Sequence, residues 1–139
     1  MLTAARSFQN TTSPPAVSEQ MQREETSEIR KIAQICKIAM ECIVSGHYRP
    51  LEDRHALTRV SEQDIRRVLK EYNSKELPVM PPDTYFEESA YVGEYRDGSG
   101  WYVDINLWYP DGESDLTLQL DIRKRGNHLA FIIDDLHVL

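Results

Sequence analysis

The side chains that could do chemistry are concentrated in the last third of the chain. They are five carboxylates, one histidine and one tryptophan at polar positions: Asp104, Trp108, Asp115, Asp121, Asp134, Asp135 and His137. Paired carboxylates can divide the roles of general acid and general base when their surroundings separate their pKa values. An aspartate beside a histidine can form a proton-transfer pair. The polar face of an antiparallel sheet has a similar composition by default. We therefore assign no catalytic residue and interpret the set as a partner-binding surface.

Known catalytic and metal-binding spacings are absent from the sequence. It contains no Gly-rich phosphate loop, no Gly-x-Ser-x-Gly, no His-Glu-x-x-His and no Cys-x-x-Cys. The four histidines are scattered, and Cys36 and Cys42 fall on opposite sides of a predicted helix. Two reduced cysteines are typical of a cytoplasmic protein. We expect no disulfide, no metal ion and no cofactor. Whether the protein is an enzyme stays open, but a non-enzymatic function is favoured.

The charge of the chain is unevenly distributed. The formal net charge is −7, and residues 73–139 carry 5 basic against 13 acidic side chains, a net charge of −8. Such a surface repels phosphate backbones, because nucleic-acid binding depends on Lys and Arg. It favours a basic protein partner or a cation. The alternative is that the acidic surface only keeps the protein soluble.

The chain length and the apolar runs limit the class of protein further. A chain of 139 residues is long enough for one domain, and no apolar run is long enough to cross a bilayer. The first residues contain no continuous apolar segment of the kind that signal peptides have. We therefore expect a cytoplasmic protein without membrane or nucleic-acid partners, either a monomer or a homodimer.

The first predicted helix covers residues 27–45, where apolar residues recur at helical spacing. Thr26 or Ser27 can cap its start, and Gly46 occupies the position of a left-handed C-cap. Residues 1–25 are polar and rich in proline in part, so we predict a flexible N-terminal tail there. Residues 18–25 could alternatively extend the following helix by a turn or two.

A second helix is predicted from Ser61 to Tyr72. Ser61 and Asp64 have the spacing of a capping box, with Asp in place of the usual Glu. Its buried face should contain four residues at helical spacing, namely Ile65, Val68, Leu69 and Tyr72.

From residue 85 onward the period of the apolar pattern changes from 3.6 to 2. Alternation predicts strands over residues 101–109 and 116–123, with further strands over 85–95 and 129–139. Turn sequences rich in Asp, Gly and Asn separate them at hairpin spacing. Connections this short join antiparallel strands, because a parallel crossover needs many more residues.

The predicted fold class is α+β, a single domain over residues 26–139 in which two N-terminal helices pack on a curved four-stranded antiparallel meander. The last strand changes phase, because Leu136 and Val138 have the opposite parity to the apolar residues before them. A bulge near Asp134 and Asp135 would return both side chains to the core. The core should draw on both helices and the central strands: Ile32, Cys36, Met40, Ile65, Leu69, Val103, Ile105, Leu118 and Leu120.

Two C-terminal stretches and the second helix resemble a family of small uncharacterised bacterial domains. The stretches are LWYPDGESDLTL from Leu107 to Leu118 and IDDLHVL from Ile133 to Leu139, and the resemblance covers residues 28–139. The resemblance implies no activity, but it singles out Trp108, Ser114, Asp115, Thr117, Asp134, Asp135 and His137. Helices followed by a curved antiparallel sheet also resemble the cystatin-like and nuclear-transport-factor-2-like cone folds, which is a likeness of fold alone.

The function that these observations favour is binding of a basic protein by the acidic sheet face. Trp108 would be the anchor in a pocket of the partner, with the five aspartates supplying complementary charge. An equally favoured alternative is that the N-terminal helix or residues 76–86 cover Trp108. An immunity-type protein that neutralises a basic bacterial toxin fits this description. The alternative is a cone-like pocket protein that binds a small molecule or acts as a weak hydrolase or isomerase through Asp134 or Asp135 with His137.

Overall fold

The computed structural model describes the backbone of residues 15–139, and the side chains of Arg23 and of residues 26–139. In this part of the chain, helices come first and strands follow. The elements are α1 (Pro15–Ser45), α2 (Arg49–Asp53), α3 (Glu62–Tyr72), α4 (Tyr85–Glu88), β1 (Tyr91–Glu94), β2 (Gly100–Tyr109), β3 (Gly112–Arg125) and β4 (His128–Val138).

The four strands form one open antiparallel sheet in the order β1-β2-β3-β4, which confirms the predicted α+β meander. The buried apolar residues of β2 and β3 alternate along each strand and pack with those of α1 and α3 in a single core. Of the nine predicted core residues, eight are buried. The exception is Leu69, which is half-buried.

Helix α1 begins earlier than its pattern predicted, at Pro15 instead of residue 27. Thr26 and Ser27 therefore lie inside the helix and do not cap it. Proline is well tolerated in the first turn, and the following segment is rich in strong helix formers, so no local signal stops the helix before the apolar stripe. The tail predicted over residues 1–25 is thus helical from Pro15, while residues 1–14 lie outside the described part of the chain.

The apolar stripe of α1 is buried only where the helix lies on the sheet. Ile32 and Ile43 are almost fully buried, whereas Ile29 is 51% exposed. The C-terminal end confirms the predicted cap, because Gly46 has a φ of 73° and its N–H donates to the Ile43 carbonyl. Among the described residues, α1 and the other helices are too short or too polar to cross a membrane.

Helix α3 has the predicted capping box. The Asp64 N–H donates to Ser61 Oγ at 3.0 Å, and the Ser61 N–H donates to Asp64 Oδ2 at 3.1 Å. The predicted buried face is only partly correct, since Ile65 is fully buried but Val68 and Leu69 are half-buried and Tyr72 is exposed. A helix that contacts the sheet near the edge strand β4 buries a narrower stripe than one lying across its centre.

The predicted first strand, residues 85–95, is divided in the structure. Residues 85–88 form the short helix α4, and only Tyr91–Glu94 pair with β2. Tyr85 and Phe86 are both buried, as adjacent residues can be in a helical turn. A strand would have directed them to opposite faces.

The predicted bulge in the last strand is present. Gln119 pairs with Asp135 while Leu120 pairs with Ile133, so Asp134 is the additional residue on β4. The bulge returns Leu136 to the core, as predicted. The same prediction is wrong for Val138, which is 48% exposed because it ends the edge strand.

The core alternation predicts a severe effect of charge at Ile105, which is fully buried at the centre of β2. An Ile105→Asp variant should fail to fold, because an unpaired buried carboxylate costs several kcal/mol. Val138→Asp places the same charge at an exposed strand position and should retain the fold. Circular dichroism with thermal melting checks both variants, and a cooperative melt of Ile105→Asp like that of the parent would refute the strand assignment.

Buried thiol and phenol groups predict a loss of stability at alkaline pH. Burial raises the pKa of Cys36, Tyr48 and Tyr85 to about 12 in each case. In the unfolded chain such groups titrate at about 8.5 for Cys and about 10 for Tyr. The contribution of these groups to the free energy of unfolding is therefore complete below about pH 8. It is lost as the pH rises towards 12, because unfolding then releases protons.

Urea unfolding at a series of pH values measures this effect. The free energy of unfolding should be flat just below about pH 8 and fall steadily above it. A Tyr48→Phe variant should show a shallower fall, since one of the three groups is missing. A free energy that is constant up to about pH 10.5 would contradict the burial of these groups.

Candidate functional site

The outer face of the sheet, which is the face away from the core, carries the polar positions of β2, β3 and β4. Strand register places Tyr91, Asp104, Gln119 and Asp135 in one row across all four strands. The next row contains Asn106, Thr117 and His137. Alternation of side chains therefore assembles the predicted polar face from strands that are distant in sequence.

The structure brings Asp104, Asp135 and His137 together near the centre of the outer face. Gln119 lies between the two carboxylates and donates from Nε2 to Asp104 Oδ1 at 3.1 Å. His137 Nδ1 and Asp135 Oδ2 are 2.8 Å apart. Asp135 Oδ1 also accepts from the Leu136 N–H at 2.8 Å, which fixes the carboxylate beside the bulge. These groups place two carboxylates, a half-buried one at Asp104 and an exposed one at Asp135, near the middle of the face.

Trp108 is not the exposed anchor that the sequence suggested. Its indole is half-buried, with the Tyr85 ring edge-on at a centroid distance of 5.5 Å. The Val79 N–H donates to the Trp108 carbonyl at 2.7 Å, so the segment before α4 lies along this end of β2. The alternative in which residues 76–86 cover the tryptophan is therefore the arrangement found. A position on the polar face of an alternating strand does not guarantee an exposed side chain, because a connector can fold back over the strand.

Asp115 and Asp134 lie away from the centre of the outer face. Asp115 is at the end of the sheet, where its Oδ1 accepts from the Tyr72 hydroxyl at 2.5 Å. This hydrogen bond is the main cause of a raised pKa at Tyr72. Asp134 projects from the bulge and forms an ion pair with Arg59. Neither carboxylate is free of an intramolecular partner.

Asp121 is buried at the opposite end of the face from Asp115. Its Oδ1 accepts from the Tyr95 hydroxyl and from Arg123 Nε, both at 2.9 Å. The Arg123 guanidinium also stacks on the Tyr95 ring at 4.2 Å from the centroid. Burial, followed by the hydrogen bond to Asp121, raises the pKa of Tyr95. Asp121 is therefore structural within this cluster, and the five aspartates do not form one continuous acidic rim.

The sequence reasoning missed a cluster of three tyrosines: Tyr91 on β1, Tyr95 directly after the end of β1, and Tyr102 on β2. The Tyr102 ring lies 6.2 Å from Tyr91 and 5.6 Å from Tyr95 between centroids. It lies directly over Gly93, where an added Cβ would come within 2.1 Å of Tyr102 Cζ. Tyr91 is 60% exposed and Tyr102 is 41% exposed. The parity of Tyr102 with Asp104 was the available signal, but the register with β1 was needed to complete the cluster.

A shallow groove of about 390 Å³ runs beside this tyrosine cluster. Its lining includes Tyr91, Asp104, Thr117 and Leu139. Leu139 is 69% exposed, so the groove has an apolar side as well as an acidic one. The groove lies on the outer face, and not between the helices and the sheet where the pocket hypothesis placed a cavity.

Tyr85 holds the unpaired edge of β2 next to the groove. Because β1 reaches only to the position opposite Asp104, the Asn106 N–H has no strand partner on that side. It donates to the Tyr85 hydroxyl oxygen at 2.7 Å, and that hydroxyl donates to Glu113 Oε2 at 3.2 Å. Asn106 Nδ2 donates to the same Glu113 oxygen at 3.0 Å, and Thr117 Oγ1 donates to Asn106 Oδ1 at 2.8 Å. These bonds orient the side chains on the groove floor.

Ser114 has a structural role in the motif that the resemblance singled out. The register of β2 and β3 shifts between Asn106 and Trp108. At this irregularity the Ser114 hydroxyl donates to the Leu107 carbonyl at 2.7 Å and accepts from the Leu116 N–H at 3.2 Å. The side chain thus satisfies backbone groups that the irregular pairing leaves open.

The side chains that could ligate a metal are dispersed. In the described part of the chain, no group of three or more His, Cys, Asp and Glu side chains is placed to hold a metal ion. Cys36 and Cys42 are free and buried, and burial raises the pKa of both thiols. The chemistry that the outer face offers is therefore that of carboxylates, tyrosine hydroxyls and the Asp135–His137 pair.

These features define an α+β domain with a four-stranded open sheet and one polar, aromatic face. Residues 40–139 match a family model described as Domain of unknown function (DUF7668), and the chain belongs to this family. The match agrees with the predicted resemblance to an uncharacterised domain family. No curated protein and no solved structure matches the chain. The likeness to cone folds stays a prediction.

The bonds of Tyr85 predict a measurable cost when its hydroxyl is removed. Tyr85→Phe should lower the free energy of unfolding by about 1–3 kcal/mol, because Asn106 N–H and Glu113 lose a buried partner. Tyr109→Phe is the matched control, since the Tyr109 hydroxyl is buried without a hydrogen-bond partner among the described residues. The control should be neutral or stabilising. Urea unfolding compares them, and equal effects of the two variants would contradict the assigned role of Tyr85.

Proposed function

We propose that this protein is a non-enzymatic binding domain whose outer sheet face takes a basic protein partner. The observation that carries the proposal is the exposed pair Tyr91 and Tyr102 beside the carboxylate of Asp104 on an open face. Tyrosine is enriched at protein interfaces because it combines a large apolar ring with a polar hydroxyl. A face of this kind offers anchors and orienting groups at the same place.

The charge supports a basic partner over a neutral or acidic one. Asp104 and Asp135 lie on the face without an arginine or lysine partner among the described residues, and residues 73–139 carry a net charge of −8. Complementary charge accelerates the encounter and disfavours wrong partners. Asp121 and Asp134 contribute less, because Arg123 and Arg59 already neutralise them. The proposed contact residues therefore narrow to Tyr91, Tyr102 and the central carboxylates.

The finer form of the proposal is an immunity-type protein that neutralises a basic bacterial toxin. Such a protein would act by covering a basic surface of the toxin with the outer face, without any chemical step. A small cytoplasmic monomer or homodimer suffices for this role. Co-expression with a candidate toxin tests it directly, since survival should depend on the same face residues as binding.

A second candidate function rests on the contact between Asp135 and His137. The 2.8 Å separation between their oxygen and nitrogen atoms has the geometry of a proton-transfer pair, and hydrolysis or isomerisation of a small molecule would use it. The outer-face groove could admit a small ligand beside this pair. His137→Ala should abolish such an activity and leave binding of a protein at the tyrosine cluster almost unchanged.

Affinity capture with matched variants tests the proposed binding face. Tyr91→Ala should weaken the complex with a basic partner by about 2 kcal/mol, or about 30-fold in dissociation constant, if the ring is an interface anchor. Leu77→Ala removes an equally exposed apolar group away from the outer face and should bind like the parent. Isothermal titration with the captured partner gives the dissociation constants.

A second pair of variants tests how much the charge of the outer face contributes to partner binding. Asp104→Asn should slow association and reduce the salt dependence, whereas Asp83→Asn makes the same charge change at an exposed position away from the sheet. Association rates at low and high salt distinguish them. Equal rates for the two variants, or a partner that binds Tyr91→Ala as tightly as the parent, would reject the outer face as the binding surface.

A further inference from the structure

A cavity lined by arginines lies at the β4 edge of this acidic protein. Its volume is about 370 Å³, and its lining includes Arg54, Arg59, Arg123, Arg125, His55 and Phe131. We call it the arginine cavity. Four of the 16 basic side chains of the chain converge here, although the net charge of the chain is −7.

Backbone contacts bring these arginines together from two parts of the chain. The Ile133 N–H donates to the Ala56 carbonyl at 2.9 Å, so the connector after α2 lies along the edge of β4. His55 adopts a φ of 58°, which turns the connector towards that edge. Arg123 and Arg125 belong to β3, whose end pairs with the start of β4. The cavity thus has walls from the connector and from the sheet.

The guanidinium groups of the cavity differ in whether they are neutralised. Arg59 is paired with Asp134, and Arg123 is paired with Asp121, a carboxylate that also lines the cavity. Arg54 donates to the Pro50 carbonyl at 3.3 Å, and Arg125 donates to the Lys124 carbonyl at 3.1 Å.

Neither Arg54 nor Arg125 contacts a carboxylate within the described part of the chain. The cavity therefore keeps two positive charges that the fold leaves without an acidic partner. Holding like charges close together is unfavourable, so a cluster of this kind gains from an anion that binds between its members.

We propose that the arginine cavity binds the phosphate group of a small phosphate monoester. A phosphate carries about −1.5 to −2 charge at neutral pH and offers three acceptor oxygens, which matches two guanidinium groups that have no carboxylate partner. Phe131 and Ile132 provide an apolar wall for the organic part of the ligand. The volume lies within the range of small-molecule sites. The net charge of −7 disfavours a nucleic acid, because the protein as a whole would repel a chain of many phosphates.

Titration with phenyl phosphate, followed by two-dimensional amide NMR, tests this site. The probe has a dianionic head and an aromatic group, benzoate offers a carboxylate in place of phosphate, and phenol carries no charge. Phenyl phosphate should shift the resonances of residues 54–59 and 123–132 and bind more tightly than inorganic phosphate. Benzoate should bind at least about tenfold more weakly, and phenol should not bind.

A double variant with a charge-matched control assigns the binding to the cavity. Arg54→Gln with Arg125→Gln should weaken phenyl phosphate binding at least about tenfold. Arg30→Gln with Arg96→Gln makes the same change in net charge at exposed positions outside the cavity and should bind like the parent. Thermal melting verifies that both proteins are folded.

Three results would overturn the inference. The first is a lack of shifts in residues 54–59 and 123–132 at millimolar phenyl phosphate, and the second is equal affinity of the double variant and its control. Tighter binding of benzoate than of phenyl phosphate would also contradict it, because the site would then select carboxylates. The experiment uses no protein partner, so its outcome is independent of the proposed function of the outer face.

Discussion

Burial of one face of the sheet is the constraint on which the rest of this structure depends. Val103, Ile105, Leu118 and Leu120 are almost fully inaccessible, and a slip of one residue between β2 and β3 would move the buried side chains of the strand that slips to the solvent face. The register is therefore fixed by the core, and the polar residues of the same strands must lie on the opposite face. The bulge at Asp134 follows from the same constraint, because it keeps apolar residues in the core on both sides of an extra residue.

The two edges of the sheet explain where the remaining features lie. Strand β1 is too short to cover β2, and residues 79–85 satisfy the uncovered backbone groups through the Val79 N–H and the Tyr85 hydroxyl. Strand β4 is partly covered by the connector after α2, through the bond between Ile133 and Ala56. Protecting an edge against pairing with other chains is a general requirement of open sheets. Here the protection also builds the floor of the groove at one edge and the arginine cavity at the other.

Local periodicity predicted the fold class, the capping box at Ser61 and the bulge, since each depends on residues close together in sequence. It left the cover over Trp108 as one of two alternatives and did not predict the ion pair of Asp134 with Arg59, 75 residues away, because both depend on connectors whose paths leave no periodic signal. It also failed at the start of α1, where Thr26 and Ser27 are good caps in isolation but lie within a longer helix. The sequence therefore predicted which residues share one face of the sheet. Only the structure shows which of these side chains are exposed and which are neutralised by an ion pair.

The distribution of paired and unpaired charge divides the surface into two parts of opposite sign. Hydrogen bonds of Asp121 to Tyr95 and to Arg123 connect the two regions. Tyr95 belongs to the tyrosine cluster, and Asp121 and Arg123 line the arginine cavity. On the side of the tyrosine cluster Asp104 and Asp135 have no arginine or lysine partner among the described residues, and on the side of the arginine cavity Arg54 and Arg125 have no acidic one. A basic partner on the outer face would be attracted at the first and repelled at the second, which would fix its orientation. A phosphate in the arginine cavity would weaken that repulsion, so occupancy of the cavity would alter the orientation of the partner and the strength of its binding.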